Sequence, residues 1–277
     1  MSLVVPHAHL AGSSGFPELL KTWRHKRRLS QLALALESGV SQRHVSFLES
    51  GRAKPSRDMI MQLSDTLNVP LRDRNDWLVA AGFAPVFRAT ALDDPQMAQV
   101  MSAVRMMLSN HAPYPAVAVD RAWNIRLANE PFERLLSLFG EHAWAKLGGA
   151  QRNLLRLFFH PLGIRPHVAN WSTIAPLIWQ RACREADAIG GQDMRDVLTE
   201  LRALPHAAMV NSATVSDAPL LPVLPLIIEK DGMRISLFTV IATFGTAQDV
   251  TTDELRIESM FPADDATQEL FRQMAIK

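Results

Sequence analysis

The chain has little with which to build covalent or redox chemistry. A single cysteine, Cys183, excludes an intramolecular disulfide and leaves no paired cysteines for a zinc module, which suits a reducing, cytoplasmic setting. No run of about 18 uncharged apolar residues occurs, so no segment has the length that spans a bilayer and no membrane partner is expected. Residues 1–15 hold Pro6, His7 and His9 but lack the basic start and apolar stretch of a secretory signal, and they read as a flexible tail. Neither a GxSxG elbow nor an HExxH pair is present, and no glycine-rich loop stands ready to cradle a phosphate. With no constellation of converging ionisable residues, these absences argue against an enzyme, including one tethered to a second domain. They also leave metal, haem, flavin and nucleotide cofactors without a signature.

Net charge is scarce too, a formal +1 at pH 7, but it is unevenly spread. Residues 1–90 carry 12 Lys/Arg and 7 Asp/Glu, whereas residues 91–277 carry 17 and 21. That polarity is expected where the N-terminal part meets a polyanion and the remainder does not. A length of 277 residues with 48% hydrophobic and 21% charged residues is ordinary for a folded protein and suggests two domains.

Residues 16–83 read as five short helices in one compact unit. Phe16 to Arg28 places Leu19, Leu20 and Trp23 on one face. Ser30 caps a second helix, Gln31 to Glu37, whose Leu32 and Leu36 are expected to point to the core, and Gly39 supplies a turn. Ser41 caps a third helix with Val45 and Leu48 inward and Gln42, Arg43, Ser46 and Phe47 outward. A fourth helix begins at Pro55-Ser56 with Ile60, Leu63 and Leu67 inward. A fifth runs from Leu71 to Ala81 and stops at Gly82.

Two short helices joined by a glycine turn, followed by Leu48-Glu49-Ser50-Gly51-Arg52 and Lys54-Pro55-Ser56, resemble the Cro/C1 or XRE-type helix-turn-helix regulators from Leu19 to about Phe83. The resemblance implies double-stranded DNA as partner, with the helix from Ser41 to Ser50 in the major groove. Gln42 suits adenine, Arg43 suits guanine, and Phe47 suits a thymine methyl, with Ser46 on the same face. Gln31, Arg52, Lys54 and Arg57 then fall at phosphate-contacting positions. It also implies an internal ion pair between Arg24 and Glu49.

Residues 84–96 lose periodicity, contain Pro85 and Pro95, and read as a linker. Residues 97–277 alternate in the order of an α+β domain with an antiparallel sheet. A helix from Gln96 to Asn110 precedes a hairpin of Pro115 to Val119 and Trp123 to Ala128. Helical patterns follow at Glu130 to Phe139, Asn153 to Phe159, Val168 to Ala188 and Met194 to Ala203. Strands return at Leu220 to Glu229, Met233 to Phe244 and Glu254 to Phe261, with a tight turn at Asp231-Gly232, before a helix at Ala266 to Met274.

Two strands, several helices and three strands resemble a PAS-like fold with a five-stranded sheet. The local sequences WNIRLAN (Trp123 to Asn129), NLLRLFFH (Asn153 to His160), ATFG (Ala242 to Gly245) and FPAD (Phe261 to Asp264) sharpen it, together with LRDRNDWLVAAGFAPV (Leu71 to Val86). They resemble the MmyB-like regulators, in which an XRE domain precedes a PAS-like ligand-binding domain. That resemblance implies a small hydrophobic, fatty-acid-like ligand held between sheet and helices. Candidate walls are Leu127, Phe132, Phe158, Phe159, Trp171, Trp179, Phe238 and Phe244, and candidate polar anchors are Asn129, Arg156, His160 and His206. The expected function is ligand-modulated operator binding by a homodimer. The alternative is a C-terminal domain that serves only dimerisation or protein interaction.

Overall fold

The computed structural model describes residues 15–138, 152–189, 192–204 and 222–276. The chain divides into two units, Met1–Arg88 and Ala89–Lys277. The division falls inside the expected linker, whose ends are each tied to a unit. The Asn75 side chain bonds the backbone of Val86 and Phe87, and Thr90 donates to Asp249.

The first unit is five helices: α1 Phe16–Lys26, α2 Gln31–Ser38, α3 Gln42–Glu49, α4 Arg57–Thr66 and α5 Leu71–Ala80. Serine side chains start three of them, with Ser30, Ser41 and Ser56 accepting from the N–H groups of Ala33, His44 and Met59. Each such cap contributes about 1 kcal/mol. Leu20, Leu34, Val45, Leu48, Ile60, Leu63, Leu67, Trp77 and Leu78 are fully buried together.

One expectation is corrected within this core. Leu32 and Leu36 point outward, 51% and 75% exposed, and Leu34, Ala35 and Ser38 form the buried stripe of α2. Residues two apart differ by roughly 200° around a helix, so burying Leu34 turns Leu32 and Leu36 to solvent.

In the second unit a 3₁₀ turn, Pro95–Met97, leads into α6 Ala98–Asn110, followed by β1 Ala116–Val119, β2 Ile125–Ala128 and α7 Glu130–Ser137. Then come α8 Leu154–Phe159, α9 Trp171–Ile189 and α10 Gln192–Arg202. The unit closes with β3 Leu226–Lys230, β4 Met233–Thr243, α11 Val250–Glu254, β5 Arg256–Pro262 and α12 Asp265–Ile276. β3 starts later than expected because Pro222 and Pro225 cannot donate to a ladder; Leu220 lies outside the described residues. Asp249 caps α11, which was not anticipated and delays β5 to Arg256.

The sheet is antiparallel throughout, in the order β2-β1-β5-β4-β3. Its central strand β5 joins two hairpins that lie far apart in sequence. Asp231 and Gly232, both at positive φ (+50° and +80°), make the two-residue turn between paired Lys230 and Met233. Both sheet faces carry packed residues, although Thr239, Val240 and Ile241 of β4 stay exposed. The row Leu127, Ala118, Ile257 and Ala242 packs with Val104 and Leu108 of α6. Val117, Val119, Ile228 and Met260 face the opposite way into the core built with α8, α9 and α10. At the end of that face, Ile235 and Leu237 meet Leu135 of α7 and Phe271 of α12. This is the expected PAS-like α+β architecture.

Candidate nucleic-acid interface and ligand-binding core

The outward face of α3 forms as its periodicity requires. Val45 and Leu48 are completely buried, which turns Gln42 and Arg43 to solvent and leaves Ser46 and Phe47 half exposed. Gly51, at φ +71°, ends the helix and reverses the chain, so exposed Arg52, Lys54 and Arg57 follow at once on the same stretch. The Arg43 and Arg52 guanidiniums lie over the Phe47 ring, 5.2 and 5.8 Å from its centroid.

Behind this face, α3 is anchored by charge. Arg24 makes a two-pronged bond to Glu49 at 2.6 and 2.9 Å and also donates to the carbonyl of Leu29. Burial acts to raise the pKa of Glu49, but the hydrogen bonds from Arg24 and Gln31 outweigh it and hold the carboxyl below its ordinary value. The Gln31 amide donates to Glu49 at 2.7 Å and so ties the start of α2 to the end of α3. Arg27 is likewise structural, donating to the carbonyls of Leu67 and Asn68 at the end of α4.

The expected ligand walls divide between the two sheet faces. Phe132, Phe158, Phe159 and Trp179 are buried in the helix-side core, with Trp171 packed against it. Phe158 stacks on Trp171 at 5.1 Å, and Phe159 meets Trp171 and Trp179 edge-on at 5.7 and 5.4 Å. Leu127, Phe238 and Phe244 are not with them. Leu127 and Phe244 pack in the α6 cluster, and Phe238 stacks on its cross-strand partner Phe261 on that same side. The period of two sends them there, because their strand neighbours occupy the helix-side face.

The expected polar anchors have structural duties. Asn129 uses its whole side-chain amide internally: Nδ2 donates to the carbonyls of Leu108 and Tyr114, and Oδ1 accepts from the N–H groups of Ala116 and Phe132. Arg156 is clamped to Glu200, tying α8 to α10. His160 closes α8, its ring nitrogen accepting from the N–H of Leu162. His206 lies outside the described residues.

Charged residues not singled out by sequence reasoning converge instead on the helix-side face. Arg181 of α9 bonds Glu185 one turn on and Glu258 of β5, at 2.8 and 2.6 Å. Glu185 also accepts from Arg256 and, at 2.8 Å, from the indole N–H of Trp123. The Arg181 and Arg256 guanidiniums lie 4.4 and 5.4 Å from the Trp123 ring centre. Burial acts to raise the pKa of Glu185, yet Arg256 and then Arg181 pull it below the ordinary carboxylate value. Burial acts to lower that of Arg181, yet Glu258 and Glu185 raise it. The available signals were Arg181 and Glu185 at helical spacing and Arg256 and Glu258 at strand spacing, each placing both charges on one face.

A helix-turn-helix unit followed by a five-stranded PAS-like domain defines a two-part transcription regulator. Residues 20–73 match a helix-turn-helix family model, and residues 100–274 match the family described as MmyB-like transcription regulator ligand binding domain. The chain belongs to this MmyB-like family, as a DNA-binding regulator with a ligand-binding domain. No curated protein matches it. Among solved structures, one titled "Structure of an RNA-binding Light-Oxygen-Voltage Receptor" is 14% identical over 97% of this chain and 66% of that one, with a TM-score of 0.24. A likeness that distant carries no argument. Among the described residues no helix is long and apolar enough to cross a membrane.

Proposed function

We propose that this regulator is a cytoplasmic homodimer whose affinity for an operator is set by a small hydrophobic, fatty-acid-like ligand in the C-terminal domain. The observation that carries the DNA half is the capped α3 with its exposed Gln42 and Arg43, flanked by exposed Arg52, Lys54 and Arg57. Gln42 and Arg43 have the donors to pair with adenine and guanine edges, and the three basic residues after them neutralise phosphates. In a dimer the two recognition helices stand about 34 Å apart, and a ligand that favours one dimer geometry changes that spacing.

The ligand half is supported by family membership and by the helix-side core of Phe132, Phe158, Phe159, Trp171 and Trp179, an apolar environment suited to an acyl chain. Native mass spectrometry of the purified protein, with identification of extracted compounds, is expected to find one fatty-acid-like molecule per protomer. A second reading, in which this domain only dimerises, draws on the close packing of those rings upon one another. Extraction that yields nothing, from protein that still dimerises and binds DNA, would favour it.

A further inference from the structure

Phe47 is half buried on the DNA-facing helix, and its ring is already engaged by two arginines that reach it by different routes. Arg43 precedes it by four residues, one helical turn, so the two side chains share a stripe. Arg52 comes round the helix end. Its N–H donates to the Phe47 carbonyl at 2.9 Å while that of Gly51 donates to Leu48 at 3.2 Å, the bond pair of a glycine-terminated helix in which the residue after glycine packs back on the last turn. Helix and turn together therefore fix the ring beneath both guanidiniums. A guanidinium lying on an aromatic face keeps its N–H edge free for two-pronged pairing and loses part of its rotamer freedom in advance.

We infer that Phe47 is a positioning residue for DNA and not a base reader. It holds Arg43 toward a guanine edge and Arg52 toward the neighbouring backbone phosphate, so the helix recognises guanine at a fixed offset from that phosphate. This rests on the DNA-reading face proposed for α3, and it replaces the thymine-methyl contact suggested by residue type alone.

The test begins with the full chain selecting its preferred duplex from a random pool. Enrichment of no sequence would overturn the reading of α3 and this inference with it. On the selected duplex, replacing every thymine by uracil removes only the methyl groups and is expected to change wild-type affinity by less than about twofold. Phe47→Leu is expected to lose guanine preference at one position by about tenfold, as Arg43→Ala does, with the double variant no worse than either alone. It is also expected to lower the slope of affinity against salt by about one, as Arg52→Ala does. Phe47→Tyr keeps both properties, which separates loss of the platform from loss of the fold. A uracil duplex bound about tenfold more weakly would overturn the inference with no variant needed. So would a folded Phe47→Leu that retains its guanine preference.

Discussion

Replacing Arg181 with methionine removes the cation that faces Glu258, a carboxylate 4% exposed on the central strand. Methionine keeps an unbranched stem of similar reach against Trp123, so the change is chiefly one of charge. Among the described residues Glu258 has no second cation, whereas Glu185 keeps Arg256 and the Trp123 indole. Breaking a buried pair on one side costs about 3–5 kcal/mol, because the remaining charge stays desolvated. For a domain of this size that lowers the melting temperature by roughly 6–20 °C. Adding Glu258→Leu removes the stranded charge beside Val117 and Ile241, and the double variant is expected to melt near or above the wild type. Scanning calorimetry on the full chain reads both. A single variant that melts within about 2 °C of wild type, or a double variant as unstable as the single, would refute the reasoning. The same cluster sets an acid limit. Because the folded pKa of Glu185 lies below the ordinary carboxylate value of 4.5, its contribution is present above that value and is lost as pH falls below it and through the folded pKa. Glu185→Gln is expected to flatten that part of the stability profile.

Other outcomes follow from the geometry. Leu36→Lys, at an exposed position, is expected to change stability in denaturant titrations by less than about 0.5 kcal/mol. Leu34→Ala, at a buried one, costs about 2–5 kcal/mol. Asn129→Ala loses the cap of α7 and orphans backbone groups in the core, a cost of about 2 kcal/mol or more. Its retained ligand content, by mass spectrometry, distinguishes a structural residue from an anchor. In binding-site selections, Gln42→Ala and Arg43→Ala each relax preference at one base pair. Lys54→Ala or Arg57→Ala instead weakens all sequences alike and lowers the salt slope by about one.

The helix-turn-helix was legible because its signals are local: serine before each of three helices, glycine after α2 and α3, and one apolar stripe on α3. α2 misled because QLALALES offers two apolar stripes, and only the packing of Leu34 against the other helices decides between them. The succession of strands and helices along the chain was similarly open to reading, but facing was not. Both sides of the sheet carry packed apolar residues, so alternation could not tell the α6 side, which takes Leu127 and Phe244, from the side of α8 to α10. Asn129 reads as a polar group near a pocket, yet its place before Glu130-Pro131 makes it a helix cap. The charged cluster was invisible for a different reason. Its members are up to 77 residues apart, and a lone arginine or glutamate in sequence reads as solvated until the fold buries it opposite a partner.

The central claim, that the C-terminal domain controls operator binding through a ligand, is tested most directly by measuring affinity for the selected duplex under two conditions. The protein is compared after delipidation and after saturation with a long-chain fatty acid, at one salt concentration and with dimerisation monitored. Coupling between the sites predicts a difference of about 5- to 150-fold, with the reciprocal change in fatty-acid affinity when DNA is bound. Equal operator affinity with the site empty and filled would contradict the account.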